Sequence, residues 1–135
     1  MAQTADMTDP AALMPFATTL GISAPEATPD RVVCTLDHRP ELATAGGAMH
    51  GGALMTLADC AGALLAVLNL PPGASTTTTA STTNFLRAAT GGTLTATAEP
   101  VKVGRQVIVV QTTVRDSLGK ALTTTIATQQ VLAPR

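Results

Sequence analysis

Aromatic residues are nearly missing from this chain: two phenylalanines, no tryptophan and no tyrosine among 135 residues. With only Phe16 and Phe85 to offer, the protein has little surface on which a nucleobase can stack. Charge is scarce as well, with eight Lys and Arg against nine Asp and Glu, 13% of all residues and a net charge of -1. No basic cluster marks a nucleic-acid footprint, and no cationic amphipathic helix marks a membrane surface. So few charges leave surface that a monomer cannot cover with polar groups, and some of it is expected to meet another subunit. There are two cysteines, Cys34 and Cys60, and two histidines at unrelated spacings. That is not a zinc or haem pattern, and both cysteines read as small core residues. The first residues lack the positive charge and apolar stretch of a signal peptide and carry Asp6 and Asp9 instead, so a cytoplasmic location is expected.

What the chain does have is a 45% hydrophobic content, which argues against disorder, and a length suited to one domain with a true core. A flexible tail over residues 1–8 followed by a single domain over 9–135 is the expected organisation. The most informative segment is the apolar run Gly51 to Leu68, GGALMTLADCAGALLAVL, which follows His50 directly and carries Asp59 near its middle. Burying an unpaired carboxylate in a helix costs several kcal/mol or forces it to take up a proton. Asp59 must then be satisfied by a partner or used in chemistry. The run is close to the minimum of about 17 residues for a membrane span. The central Asp59, the dilution by glycine and alanine, and the lack of flanking Lys or Arg argue instead for a helix wrapped by a sheet.

Asp9 and Pro10 suit the N-cap and first turn of a short helix through about Leu20, ended by Gly21. A strand is expected at Arg31 to Asp37. The long helix stops at Asn69, Pro71, Pro72 and Gly73. Beyond Ala74 everything reads as strand: Ser75 to Leu86, Thr93 to Val103, Arg105 to Asp116 and Lys120 to Leu132, β-branched and largely alternating. The links are too short for parallel crossovers, so neighbouring strands must run antiparallel. Pro100 marks a bulge or an edge. The fold class is α+β: one curved antiparallel sheet around a single central helix, the arrangement of a hot-dog fold.

Turning that helix by about 100° per residue gathers Gly52, Met55, Thr56, Gly62, Ala63 and Ala66 around Asp59 and sets the leucines opposite. The small face suits close packing against a neighbour, a substrate pocket beside Asp59, or both in a dimer. At the helix start, free backbone N–H groups, the positive end of the dipole and the Gly51-Gly52 pair make a ready oxyanion hole next to His50. Gly51 and Asp59 are about 12 Å apart along the axis, too far to act on one carbonyl. A reaction that uses both needs Asp59 from a second subunit, with two helices packed antiparallel. His50 and Cys60, about 15 Å apart, cannot form a Cys-His nucleophile pair in one chain. His38 reads as an exposed loop residue.

From about Phe16 to Leu132 the chain resembles the PaaI-like branch of hot-dog acyl-CoA thioesterases, related to the 4-hydroxybenzoyl-CoA thioesterases. The motifs that carry this are His50-Gly51-Gly52, Leu57-Ala58-Asp59, Asn84-Phe85-Leu86-Arg87, Gly92-Thr93-Leu94 and Gly104-Arg105, in that order. The resemblance implies that Asp59 is the catalytic carboxylate, as nucleophile or as base for a water. It implies that the Gly51 N–H polarises the thioester oxygen and that His50 shapes the turn. Gly52, Ala63 and Thr78 (or its neighbour Thr79) are the candidates for orienting substrate or water. Thr44 stands where such enzymes often carry an amide side chain, and Ala88 replaces a usual proline. Arg87, Lys102 and Arg105 are candidates for the CoA phosphates. The expected function is hydrolysis of a small acyl- or aryl-CoA by a dimer or dimer of dimers, with no cofactor or metal, CoA being part of the substrate. A non-catalytic acyl-CoA-binding module and a hot-dog hydratase or dehydratase are the alternatives, the latter requiring a catalytic His beside an acid.

Overall fold

The computed structural model describes Asp9 and residues 13–134. The predicted tail and Pro10 lie outside the described residues, but the helix expected to run from there through Leu20 is interrupted: Met14 is extended, and the segment that reaches Leu20 begins only at Pro15. In chain order the elements are α1 (Pro15–Leu20), β1 (Ser23–Thr28), β2 (Arg31–Asp37), a 3-10 turn (Pro40–Leu42), α2 (Gly51–Leu68), β3 (Ser75–Phe85), β4 (Thr93–Val103), β5 (Val107–Arg115) and β6 (Ala121–Leu132). Gly21 ends α1 in the left-handed conformation, φ 83°, which glycine adopts without a Cβ penalty. The Arg39 guanidinium then caps α1, donating to the Leu20 carbonyl at 2.5 Å.

One six-stranded antiparallel sheet, ordered β1-β2-β4-β5-β6-β3, curls around α2. The helix packs against all six strands. Leu54, Leu57, Ala58, Ala61, Leu64 and Leu65 are buried on its sheet side. They face Leu94, Ala96 and Ala98 of β4 and Ile108, Val110 and Val114 of β5, all fully buried. Burying each leucine is worth about 1.5–3 kcal/mol, so this contact is the main source of stability. An alanine- and leucine-rich segment free of β-branched runs is also a good helix former. Its far end is tied down by Asn69, whose amide donates to the carbonyls of Pro29 and Leu65.

In the sheet and the packing of α2, three further features depart from the sequence reading. Strand β1, SAPEAT, was not anticipated, because it does not alternate and contains Pro25. It is an edge strand whose register shifts between Ser23 and Glu26, where a residue without an N–H is tolerated. Second, β3 and β4 were expected to be neighbours across the Gly91-Gly92 link. They do run in opposite directions, but β3 pairs with β6 at the far edge and β4 lies between β2 and β5. Residues 86–92 bridge the gap across the end of the sheet, where the Met49 N–H donates to the Ala89 carbonyl at 2.7 Å. In a strongly curved sheet a short link fixes direction without fixing adjacency. Third, Gly62 and Ala66 belong to the buried side of α2, not to its open face. A Cβ on Gly62 would meet Val110 and Thr112 at 3.6 Å, so the helix backbone lies directly on β5 there. Pro100 behaves as expected: the β4–β5 register shifts between Pro100 and Lys102, just past the last β2 pair at Ala98.

One buried group lacks a partner among the described residues: the Thr123 hydroxyl, on a fully buried β6 residue. Burying a hydroxyl without a hydrogen bond costs roughly 1–3 kcal/mol. Thr123→Val, which keeps the shape, is therefore expected to stabilise the fold by about 1 kcal/mol, seen as a higher midpoint in chemical denaturation.

Candidate active site

The side of α2 left open by the sheet carries Gly52, Met55, Thr56, Asp59 and Ala63. Asp59 is thus not enclosed within its own chain, as the apolar run suggested; it is an exposed residue on the one uncovered stripe of a core helix. Its neighbours still shield the carboxylate enough to raise its pKa, desolvation outweighing the opposing hydrogen bond from Thr78.

At the helix start, His50 is the N-cap and its Nδ1 accepts a hydrogen bond from the Gly52 N–H at 2.8 Å. The imidazole that accepts there is neutral at Nδ1 and carries its proton on Nε2. The N–H groups of Ala53 and Leu54 turn back to the His50 carbonyl. One donor is left over: the Gly51 N–H has no partner among the described residues and sits at the positive end of the helix dipole. Glycine at 51 also has a packing reason, since a Cβ there would lie 3.2 Å from the ring of Phe85. Gly52 is constrained likewise, a Cβ meeting His50 Nδ1 at 2.9 Å.

Strand β3 supplies the other wall. A bulge between Thr78 and Ala80 changes which residues of the strand face inward. Before it, Thr76 and Thr78 bond to the buried Gln129; after it, Thr83 bonds to the buried Thr125 at 2.9 Å and Phe85 packs on Gly51. Thr78, and not Thr79, is the threonine at Asp59, the Thr79 hydroxyl turning to the Thr128 carbonyl. Phe85 and Gln129 are the site neighbours that sequence reasoning missed. Phe85 lay inside a quoted motif without a role, and Gln129 is one polar residue in a threonine-rich strand.

Two openings adjoin the stripe. A cleft of about 530 Å³ at the helix start is lined by Phe16, Leu20, Leu42, His50, Gly52 and Thr56. A more apolar groove of about 420 Å³ runs past Ala63, lined also by Met14, Leu64, Val67, Leu70 and Thr76. Both fall in the size range of small-molecule sites. A third, polar cleft of about 480 Å³ between Arg31, Glu99 and Arg115 lies on the outer face of the sheet, away from α2.

Other candidates fall further out. Thr44 is exposed in the turn before the helix, its N–H donating to the Ala48 carbonyl at 2.7 Å. His38, expected to be an exposed loop residue, is half-buried and anchors that turn through Nε2 to the Gly47 carbonyl at 2.8 Å. The three cations are not brought together in one chain. Arg87 lies past the end of β3, beside the helix start, whereas Lys102 and Arg105 line a cleft at the β4–β5 hairpin, at the opposite end of the sheet. A nine-residue strand, about 30 Å long, separates the two ends. Cys34 and Cys60 are free, buried core residues, as expected, their thiols pushed up to about 12 and about 11 by burial. Neither is a thiolate nucleophile at neutral pH. Among the described residues no three His, Cys, Asp or Glu side chains converge in a metal-binding group.

A single helix wrapped by a curved antiparallel sheet, with its N-terminus and one acidic stripe left open, is a hot-dog domain. Residues 46–122, more than half of the chain and including both the helix start and Asp59, match the model of the thioesterase superfamily. The chain belongs to that family of hydrolases acting on thioester bonds. A thioesterase from Haemophilus influenzae is similar over 98% of this chain and 92% of its own, at 25% identity and a TM-score of 0.87. A thioesterase family protein from Silicibacter pomeroyi covers 90% of this chain and 91% of its own, at 30% identity and a TM-score of 0.85. No curated protein matches the chain by sequence. The segment α2 has the length and mean hydropathy of a membrane span. Here it is the buried core helix.

Proposed function

We propose that the protein is a PaaI-like acyl-CoA thioesterase that hydrolyses a small acyl- or aryl-CoA to the free acid and CoA. The observation that carries this is one unpartnered donor at the start of α2, the Gly51 N–H, together with one carboxylate on the uncovered stripe of the same helix, Asp59, beside Thr78. The Gly51 N–H is placed to stabilise the oxyanion that develops on the thioester oxygen. Asp59 attacks the carbonyl carbon, expelling the CoA thiolate and leaving an acyl anhydride for water to open, or it takes a proton from the water that attacks. Both routes consume one water and need no metal or redox cofactor. The thiolate is a good leaving group and asks for little acid assistance.

The 12 Å between Gly51 and Asp59 supports a site shared between two antiparallel helices, one start facing the middle of the other. Strand β3 supports the same dimer: it is a sheet edge of 11 residues, nearly all exposed, ending in the exposed Phe85 and followed by the exposed Leu86. A long uncovered edge invites pairing with another strand. Antiparallel pairing also brings the Arg87 end of one subunit toward the Lys102 and Arg105 end of the other, where they serve the CoA phosphates. The low charge fits a protein that self-associates, as a dimer or dimer of dimers, in the cytoplasm, without nucleic-acid or membrane partners.

The test is release of free thiol from a panel of short-chain, medium-chain and aromatic acyl-CoA esters, alongside sedimentation to fix the active oligomer. Turnover of at least one class by a dimer or larger species is the expected result. Binding of CoA esters without turnover identifies a binding module instead, and an active monomer removes the shared site.

A further inference from the structure

Gln129 is the one fully buried amide of the sheet, 1% exposed on the inner face of β6, and it has no part in the proposed hydrolysis itself. It lies directly across from Thr78 in the β3–β6 pairing. Its Nε2 donates to the Thr78 hydroxyl oxygen at 2.7 Å. Its Oε1 lies 3.3 Å from the Thr76 hydroxyl, whose one proton is shared with the nearer Gln130 carbonyl at 3.0 Å. Thr78 in turn is the hydroxyl beside Asp59 that favours its ionised form.

The direction of these bonds is fixed by counting protons. A threonine hydroxyl has one proton to give and two lone pairs with which to accept. An ionised carboxylate only accepts, so Thr78 can serve Asp59 only as a donor, and then has nothing left to donate elsewhere. The amide must then present its N–H to Thr78, as it does. Turned over, it would present its oxygen, compete for the one Thr78 proton and leave Asp59 without its donor. We infer that Gln129 is a positioning residue for the thioesterase site: by donating to Thr78 it commits that hydroxyl's proton to Asp59 and fixes the carboxylate in place. The inference rests on the proposed role of Asp59 and deepens it.

Three features favour this over amide packing alone. The N–H contact is much the shorter of the two amide contacts, and it is the one that points toward the site. Thr76 keeps its bond to the Gln130 carbonyl without Gln129. The strand is also bulged immediately after Thr78, which keeps that hydroxyl on the inner face while the rest of β3 changes phase.

The titratable groups around Asp59 among the described residues are Cys60 on its own helix and Cys34 behind it on β2. Both thiols stay neutral through the range where a carboxylate titrates, so a shift in the acid limb of activity reports on Asp59 and its donor.

The experiment is a double-mutant cycle on the full-length protein with Gln129→Met, Thr78→Val and both together, read as kcat, KM and the acid limb of the kcat profile. Either single variant is expected to lower kcat roughly 10- to 100-fold with little change in KM, and to move the acid limb to higher pH, because the carboxylate has lost a donor. Adding Gln129→Met to Thr78→Val is expected to change nothing further. Thr78→Ser, which keeps the hydroxyl, is expected to retain most of the activity. Independent, multiplying losses in the double variant overturn the inference, as does an unmoved acid limb. Gln129→Leu gives a second way to remove the donor if the methionine variant fails to fold. Thr78→Val changes an exposed residue, and full activity in that variant alone overturns the inference whatever happens at 129. Asp59→Asn is run in parallel. If it retains activity, the role given to Asp59 has failed; if it is inactive while the other variants behave as wild type, only the role of Gln129 has.

Discussion

Replacing Asp59 with asparagine is expected to lower thiol release by at least about 10³-fold, the loss typical when a positioned base or nucleophile is removed. Asparagine has nearly the same shape and still accepts a hydrogen bond from Thr78, so the open stripe of α2 keeps its form. What disappears is the negative charge and the ability to attack a carbonyl or take a proton. The same residue governs pH dependence in two ways. The proposed role of Asp59 needs its ionised form, so kcat is expected to fall as pH drops through the Asp59 pKa, which desolvation holds above the ordinary carboxylate value of about 3.9. Stability runs the other way. A carboxyl whose pKa is higher in the folded state favours folding when protonated, below its unfolded pKa, and that contribution is lost as pH rises through the folded pKa. The asparagine variant is therefore expected to melt above wild type at pH 7 and to converge with it as the pH is lowered. A variant both less active and less stable at neutral pH would mean that Asp59 is held by a favourable charge partner instead.

The second large effect is on the fold. Leu57, fully buried on the sheet side of α2, is expected to cost about 2–5 kcal/mol when truncated to alanine. One helix supplies the filling for the whole inner face of the sheet, and no second layer can move in to close the cavity. Against a total stability of about 5–15 kcal/mol, this is a large fraction, readable as a lower urea midpoint at fixed protein concentration. Met55, two residues earlier and 43% exposed on the open stripe, is the control: its truncation is expected to change the stability of the isolated fold by no more than about 0.5 kcal/mol.

The bounds of α2 and β4 were legible because their signals are long and unmixed: an 18-residue apolar run closed by Asn69 and prolines, and a strict alternation of Leu94, Ala96 and Ala98 with threonines. Strand β1 was illegible for the opposite reason, since an edge strand with both faces near solvent need not alternate. The placement of β3 at the far edge could not be read either, because adjacency depends on how far the sheet curls. In the site, the helix start and Asp59 stood out as chemically odd residues in an apolar segment. Gln129 did not, because its meaning comes from a pairing partner 51 positions away in the chain. The exposure of Asp59 is not legible in the chain, because a sequence shows how apolar a helix is, not which side the sheet leaves bare.

The bulge in β3 has a further consequence for how this family member can diverge. Thr78 and Phe85 are an odd number of residues apart, yet both turn inward, because one extra residue at Thr79 resets the alternation. The two ends of the site are thereby set in register by chain length alone. Point changes along the exposed middle of the strand leave that register intact, whereas losing or gaining a single residue between the two sends either the hydroxyl or the ring to the outer surface. Variation among sequences built on this plan should accordingly accumulate as exchanges along this stretch and not as gaps, even though it is an exposed edge, the kind of place where changes in length are ordinarily harmless.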